Sequence, residues 1–155
     1  MPLTLEIVTP DRKVFSGTAD CVVLPTAEGE IGVLPGHLPL IAQVEPGEVA
    51  LRNPGPNRAQ TTGPDDVSSE QRGPKSVAVD RGFLRVLGDT VSILTEAAID
   101  VQQINLEEVA QAEERARAAL EEAKKQPQMD VDEIERLERM ARFAITQQSV
   151  KRRRG

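Results

Sequence analysis

The front of the chain carries short apolar segments with the period of two that predicts β-strands. In the first of them Leu3, Leu5 and Ile7 are separated by Thr4 and Glu6. Turn-forming residues, such as those at 28–29 and 88–89, separate the later segments. Those later segments predict strands over residues 13–15, 21–24, 31–34, 40–44, 48–52, 76–79, 83–87 and 90–94. Many short strands without intervening helices favour a sandwich or a barrel.

Apolar residues from Asn105 onward follow the spacing of two helices. Asn105, with Glu108 three positions later, forms a capping-box-like start, and apolar residues then recur at 106, 109, 112, 116, 120 and 123. Pro127 interrupts the pattern. Asp130 with Glu133 then starts a second helix with apolar residues at 131, 134, 137, 141 and 145. The short connection predicts an antiparallel helical hairpin.

Composition supports the same division. Ten of the eleven Gly and ten of the eleven Pro precede Asn105, and these residues interrupt helices and form turns. The predicted fold class is therefore α+β, with an N-terminal antiparallel β-sandwich of about ten short strands followed by a C-terminal two-helix hairpin. We expect a sandwich domain over residues 1–100 and a hairpin domain over 101–155.

The charge balance limits the kinds of partner. The chain has a formal net charge of −6, which disfavours a role as a general nucleic-acid binder. The acidic excess lies in residues 1–104, because residues 105–155 hold 11 acidic and 11 basic residues.

The single Cys21 fits a reducing compartment and is interpreted as a strand residue rather than as a nucleophile. The sequence has no export leader and no apolar run of membrane-spanning length.

A polar segment interrupts the predicted strands. Residues 53–75 include four Pro and three Gly and almost no large apolar residues. The composition predicts a mobile or disordered loop within a long hairpin connection. A tolerated insertion is the preferred interpretation, with a recognition loop as the alternative.

No residue set nominates a reaction. The sequence lacks a GxxxxGK[ST] phosphate-binding loop and a GxGxxG fingerprint, and one His and one Cys do not make a conventional metal cluster. Paired carboxylates such as Glu28 and Glu30 lie in turn sequence and are interpreted as solvated charges. For His37, in the Leu34–Pro39 loop, two interpretations stay open: a loop residue with a backbone partner, or a surface contact.

One loop carries a family resemblance. The segment GEIGVLPGHLPL at 29–40 resembles the GELGILPGHAPL stretch of the epsilon subunit of F-type ATP synthase. The flanking segments match in order: FSG at 15–17, EPG at 45–47, GFLRV at 82–86 and VSILTEAA at 91–98. The resemblance covers essentially the whole chain apart from residues 53–75. The family's usual Gly-Gly before Phe-Leu is Arg81-Gly82 here.

The resemblance implies a rotor subunit at the foot of the central stalk, without an active site or a cofactor of its own. Its sandwich would bind the gamma subunit and the c-ring. The implied rotor contact is a loop at 30–37 that includes Glu30, Ile31, Leu34, Pro35, Gly36 and His37. The protein would lie on the cytoplasmic face of a bacterial plasma membrane, or an equivalent energy-coupling membrane, and associate with it only through the complex.

The resemblance also implies a regulatory hairpin, which folds against the sandwich or extends along gamma to restrain ATP hydrolysis. The basic end, Lys151, Arg152, Arg153 and Arg154, would then meet the alpha and beta catalytic subunits. The alternative function is an ATP sensor whose hairpin closes on nucleotide, with Arg115, Arg139 and Arg142 as phosphate partners. Family members that bind ATP resemble I/L-D-x-x-R-A near the first helix, whereas this chain has Asn105 and Glu108 at the Asp and Arg positions. No nucleotide site is therefore predicted.

Overall fold

The computed structural model describes residues 2–57, 73–128 and 130–154. The chain forms two compact units, Met1–Gln102 and Gln103–Gly155. Ten strands are described in the first unit and two α-helices in the second. A β-sandwich and a helical hairpin are thus both present, which confirms the predicted α+β fold class.

The strands follow the predicted segments closely. They are β1 (Leu3–Val8), β2 (Lys13–Ala19), β3 (Cys21–Thr26), β4 (Gly29–Val33), β5 (Leu40–Val44), β6 (Gly47–Arg52), β7 (Ser76–Val79), β8 (Gly82–Leu87), β9 (Thr90–Thr95) and β10 (Ala98–Asp100). The sequence pattern did not predict β10, because three residues are too few to show a period of two. A short 3-10 turn, Val101–Gln103, follows it.

The strands run in the order β10-β7-β6-β3-β5-β8-β9-β1-β2, and β4 pairs with the second edge of β3. A single residue pair, Thr26 with Val44, joins β3 to β5, so the sheet turns there from one layer to the other. All described strand pairs are antiparallel except β1 with β9. The second layer, β5-β8-β9-β1-β2, positions the surface described below.

The core lies between the two layers. Leu3, Leu5 and Ile7 are fully buried, so the alternation in the first strand did identify its inner face. The other layer contributes Val22, Leu24 and Val49 among its buried residues. Phe15 is also fully buried and is the one aromatic side chain among the described core residues, which are otherwise Leu, Ile, Val and Ala.

The segment predicted to be mobile begins and ends in ordered structure. Asn57 accepts a hydrogen bond from the Ser16 N–H and donates one to the Val14 carbonyl. The Gly55 N–H bonds to the Thr18 carbonyl, and the Gly73 N–H bonds to the Gly55 carbonyl. These hydrogen bonds tie Gly55 and Asn57 to β2, and Gly73 to Gly55. Composition does not reveal such contacts, and the mobility of the loop stays a prediction. The rest of the predicted loop, residues 58–72, lies outside the described residues.

The second unit is a pair of helices, α1 (Leu106–Lys124) and α2 (Val131–Arg154). Asn105 caps α1 by accepting hydrogen bonds from the Glu107 and Glu108 N–H groups, as the sequence predicted. The Asp130 side chain caps α2 in the same way. Both helices therefore begin at their predicted capping residues.

The buried side of α2 deviates from its predicted stripe. Leu137, Ala144 and Val150 are buried, whereas Val131 and Ile145 are exposed. A helix rotates 100° between neighbouring residues, so burial of Ala144 turns Ile145 to the margin of the stripe. In α1 only Ala116 is fully buried among the described residues. The hairpin thus buries few large side chains, and its apolar stabilisation is small.

Candidate subunit-interaction surface

Four large apolar side chains point outward from the second layer of the sandwich. Ile41 is 77% exposed, Phe83 62%, Leu94 53% and Leu87 52%. Phe83 lies directly opposite Leu94 in the register of β8 and β9. Ile41 lies opposite Arg85, so its diagonal neighbours on β8 are Phe83 and Leu87. We call these four residues the outer apolar face.

A contiguous exposed apolar patch is typical of a protein–protein contact. Antiparallel strands with one face in solvent normally alternate apolar and polar residues. In β8, both the buried Leu84 and Val86 and the outward Phe83 and Leu87 are apolar. The apolar residues on both faces of GFLRVL indicate that the outer face is apolar as well as the inner one. This signal was present in the sequence but was not used to predict the face.

The outer apolar face continues into a groove at one end of the layer. The groove has a volume of about 500 Å³ and is lined by Val8, Pro10, Phe83 and Leu94 among other residues. Val8 pairs with Leu94 in the parallel register of β1 and β9. The lining also includes Arg81 and Glu96. The face therefore ends in an apolar depression with one charge of each sign.

The predicted rotor loop, residues 30–37, begins on β4 and continues into the connection between β4 and β5. Leu34 is 58% exposed and Leu38 79% exposed. The His37 N–H bonds to the Leu34 carbonyl at 3.1 Å and closes a turn, in which Gly36 has a φ of +82°. A positive φ is accessible to glycine at little cost because glycine has no Cβ. The turn therefore presents apolar side chains to solvent in a fixed shape.

The loop is tied to the end of the outer apolar face. The Gly36 N–H donates a hydrogen bond to Asp89 Oδ1 at 3.0 Å. Asp89 lies in the two-residue turn that follows Leu87 and joins β8 to β9. The loop and the outer apolar face together form what we call the interaction surface.

The predicted rotor-contact residues differ in exposure. Glu30 is exposed on β4, and Pro35 and Gly36 are exposed in the turn. Ile31 is half-buried and packs against the core. It therefore holds β4 in place more than it adds to the exposed apolar side chains of the loop. His37 is half-buried, with Nδ1 2.7 Å from the Leu38 carbonyl oxygen. The Leu38 carbonyl is a backbone partner of the kind that the first interpretation of His37 expects.

The regulatory residues predicted in the second unit lie on both helices. Arg115 is exposed on α1, and its Nε donates to the Gln111 carbonyl at 3.3 Å. Arg139 is exposed and Arg142 is half-buried on α2. In the basic end, Lys151 is half-buried while Arg152, Arg153 and Arg154 are exposed in the last turn of α2. Cations are favoured at this end of a helix.

The described residues show neither a metal cluster nor a membrane-spanning helix. Within residues 2–57, 73–128 and 130–154, no group of three or more His, Cys, Asp or Glu side chains is arranged to hold a metal ion. Neither described helix is long and apolar enough to cross a membrane. Cys21 is half-buried at the start of β3, in the strand position that the sequence predicted.

Comparisons with known proteins identify the family. Residues 2–101 match the model of the ATP synthase, Delta/Epsilon chain, beta-sandwich domain. The ATP synthase epsilon chain of Persephonella marina is 35% identical over 136 residues, which cover 88% of this chain and 86% of the relative. The chain belongs to the ATP synthase epsilon-chain family. The ATP synthase epsilon chain of Ligilactobacillus salivarius is 32% identical over 96% of this chain and 94% of its own length, so the match includes the hairpin.

Solved structures share the family fold. A chain of the Euglena gracilis mitochondrial ATP synthase, determined as an OSCP/F1/c-ring assembly, matches with a TM-score of 0.59 and 22% identity. The match covers 96% of this chain and 80% of the Euglena chain. A chain from the central stalk and c-ring of the Tetrahymena thermophila mitochondrial ATP synthase matches with a TM-score of 0.51 and 12% identity. It covers 96% of this chain and 95% of the Tetrahymena chain.

Proposed function

We propose that this member of the epsilon-chain family is a non-catalytic subunit of the central stalk. Its sandwich couples rotation of the c-ring to the gamma subunit, and its hairpin restrains ATP hydrolysis. The observation that carries the proposal is the interaction surface, an apolar sheet face with an ordered loop at its end. The chain associates with the cytoplasmic face of a bacterial plasma membrane, or an equivalent membrane, only through this complex.

The outer apolar face is assigned to gamma. Four large exposed side chains on one face fit a permanent interface, because such interfaces are more apolar than transient ones. Phe83 is the expected anchor, since aromatic side chains at the centre of an interface often carry much of the binding energy. The related Euglena and Tetrahymena chains come from assemblies that include a c-ring, and this supports a rotor partner.

The loop at 30–37 is assigned to the c-ring and the adjoining part of gamma. Exposed Glu30 offers a charge to the polar loops of the ring, while Leu34 and Pro35 offer a stiff apolar contact. Because the loop is already ordered, binding loses little additional conformational entropy. The loop and the face thus give the sandwich two contacts, as a coupling subunit requires.

The hairpin is assigned a regulatory role. Its small apolar core supports two arrangements separated by only a few kcal/mol, which a switch needs. In the extended arrangement the basic end, residues 151–154, contacts acidic residues of the alpha and beta catalytic subunits. Arg115, Arg139 and Arg142 add positive charge along the two helices.

The ATP-sensing alternative finds no support at the start of α1. Asn105 already accepts from two N–H groups there, and Glu107 and Glu108 place two carboxylates in the first turn. These charges repel a phosphate that would otherwise favour a helix N-terminus. We therefore propose no nucleotide site at this position.

Binding to gamma tests the proposal directly. The tagged full-length chain is assayed for binding to purified gamma, beside the double variant Phe83→Ser/Leu94→Ser. Loss of two interface anchors should weaken binding at least about tenfold. Val131→Ser removes an exposed apolar side chain of α2 and serves as the matched control. A variant with Glu30, Leu34 and His37 changed to Ala tests the loop separately.

The outcomes separate the assignments. Weak binding by the double variant, with normal binding by Val131→Ser, supports the outer apolar face as the gamma contact. Normal binding by the loop variant moves the loop to the c-ring alone. Failure of the folded wild-type chain to bind gamma rejects the central-stalk function.

A further inference from the structure

The turn between β8 and β9 makes two long-range contacts through one residue. The Asp89 carboxylate accepts from the Gly36 N–H at 3.0 Å, across 53 positions of sequence. The Asp89 backbone carbonyl accepts from the Thr4 N–H at 2.7 Å. Asp89 therefore links the loop, the turn after β8 and the first strand.

The remaining hydrogen bonds described for the loop are local. The His37 N–H bonds to the Leu34 carbonyl, and His37 Nδ1 lies 2.7 Å from the Leu38 carbonyl oxygen. Such bonds set the shape of the turn but do not fix its position on the sandwich. Among the hydrogen bonds described for residues 34–38, the bond to Asp89 is the one that reaches another element. The pairing of Leu40 with Val86 of β8 fixes the end of the loop. The Asp89 side chain adds the hydrogen bond that holds the turn itself at Gly36.

The Asp89 side chain, unlike its backbone carbonyl, has no part in holding the strands together. Its side chain is exposed, and the adjoining strands pair through the backbone from Gly82–Thr95 to Leu87–Thr90. The two-residue turn between β8 and β9 needs a residue with positive φ, and Gly88 supplies it with a φ of +60°. Removal of the Asp89 carboxylate therefore releases the loop while the strands remain paired.

We propose that Asp89 is the positioning residue of the interaction surface. Its carboxylate holds the Leu34–Leu38 turn at the end of the outer apolar face before the partner arrives. Preorganisation of this kind raises affinity because the ordering cost is met in the free protein. The effect on affinity rests on the proposed function, in which the loop contacts the rotor. The anchoring itself is a property of the isolated chain.

The test compares Asp89→Ala and Asp89→Asn in the full-length protein. Asparagine retains an oxygen acceptor without the charge, whereas alanine removes both. Asp20→Ala is the matched control, because Asp20 is also exposed and accepts a side-chain hydrogen bond, from Asn53 at 2.8 Å. Amide exchange at Gly36, followed by NMR, reports the loop in the absence of any partner. Binding to purified gamma reports the functional consequence.

In Asp89→Ala, exchange at Gly36 should be about three to ten times faster, and binding to gamma weaker by a similar factor. Asp89→Asn should restore most of both properties, and Asp20→Ala should change neither. Unchanged Gly36 exchange in Asp89→Ala overturns the anchoring. Faster exchange with wild-type affinity for gamma overturns the role of the anchor in binding gamma, as does an Asp89→Asn variant no better than Asp89→Ala.

The same experiment keeps the two proposals apart. If the wild-type chain does not bind gamma, the proposed function fails and the anchoring is decided by Gly36 exchange alone. Normal wild-type binding with unaffected variants leaves the proposed function in place and rejects the role of Asp89.

Discussion

Gln148 on α2 donates a hydrogen bond from Nε2 to Oε2 of Glu113 on α1, at 2.5 Å and across 35 positions of sequence. Both side chains are half-buried. The other Glu113 oxygen forms an ion pair with Arg117 on the same helix. This contact is a polar link between the two helices of a hairpin with few large buried side chains, so it should contribute visibly to the stability of that unit.

Gln148→Ala should therefore destabilise the hairpin by about 1–2 kcal/mol, because a half-buried charged acceptor loses one of its two partners. Hydrogen exchange of α1 and α2, measured by mass spectrometry, should rise while exchange of the sandwich stays unchanged. Gln147→Ala, at the adjacent position, is the control for loss of a glutamine side chain. Equal effects of the two substitutions would show that the link to Glu113 contributes nothing specific.

A side chain at Gly82 should clash with the neighbouring strand and destabilise the sandwich. A Cβ at this position would clash with the Leu94 carbonyl oxygen and would lie 2.7 Å from the Thr95 Cα. Both are backbone atoms of β9, so the strands must separate, and Gly82→Ala should cost at least about 1–3 kcal/mol. Urea unfolding measures the loss.

Gly32→Ala provides the control for the Gly82 prediction. Gly32 lies in β4, and the nearest atom to its added Cβ is Val23 Cγ2, at 4.0 Å. This variant should keep wild-type stability. A Gly82→Ala protein as stable as Gly32→Ala would contradict the steric argument. The same geometry explains why Arg81-Gly82 can replace the family's usual Gly-Gly. The second position needs glycine, whereas the first is exposed and accepts Arg81.

The ion pair of Glu133 with Arg136 predicts a pH dependence in α2. Arg136 donates to both carboxylate oxygens, at 2.7 Å and 3.2 Å, and these bonds lower the pKa of Glu133 from 4.5. The pair therefore stabilises α2 at pH values above the pKa that Glu133 has in the unfolded chain. This contribution is lost as pH falls through the lower pKa of Glu133 in the folded chain. Glu133→Gln should be slightly less stable than wild type at pH 7 and equal to it at a pH low enough to protonate Glu133 in the folded chain.

Thermal unfolding by circular dichroism at both pH values measures this difference. Glu138→Gln removes an exposed carboxylate from the same helix and is the control. A wild-type advantage that persists at the lower pH would exclude ionisation of Glu133 as its origin. The effect should be small because exposed ion pairs contribute little.

The basic end of α2 predicts a salt-sensitive effect in the assembled enzyme. Arg152→Gln/Arg153→Gln removes two exposed charges and should relieve part of the inhibition of ATP hydrolysis. The relief should shrink as salt rises from about 50 to 300 mM, because screening weakens contacts between exposed charges. Lys124→Gln/Lys125→Gln, at the exposed end of α1, is the control. Unchanged inhibition at low salt would reject the contact with the catalytic subunits.

Local patterns predicted most of the secondary structure correctly. The alternation of Leu3, Leu5 and Ile7 identified β1 and its inner face, and Asn105 and Asp130 marked the starts of both helices. These features depend on neighbours within a few residues, which the sequence displays directly. Composition did not indicate that Asn57 bonds to β2, because this contact joins residues that are far apart along the chain.

The interaction surface was predicted only in part from the sequence. The motif at 29–40 indicated the loop and the family, but not the exposed Phe83 and Leu94 beside it. The sequence by itself determined most of the elements, the inner face of β1 and the family resemblance, because each depends on spacing along the chain. Only the tertiary structure decided that Phe83 lies opposite Leu94 and that Asp89 holds Gly36. Those relationships depend on strand register and on turns that meet across many residues, and local propensity does not encode them.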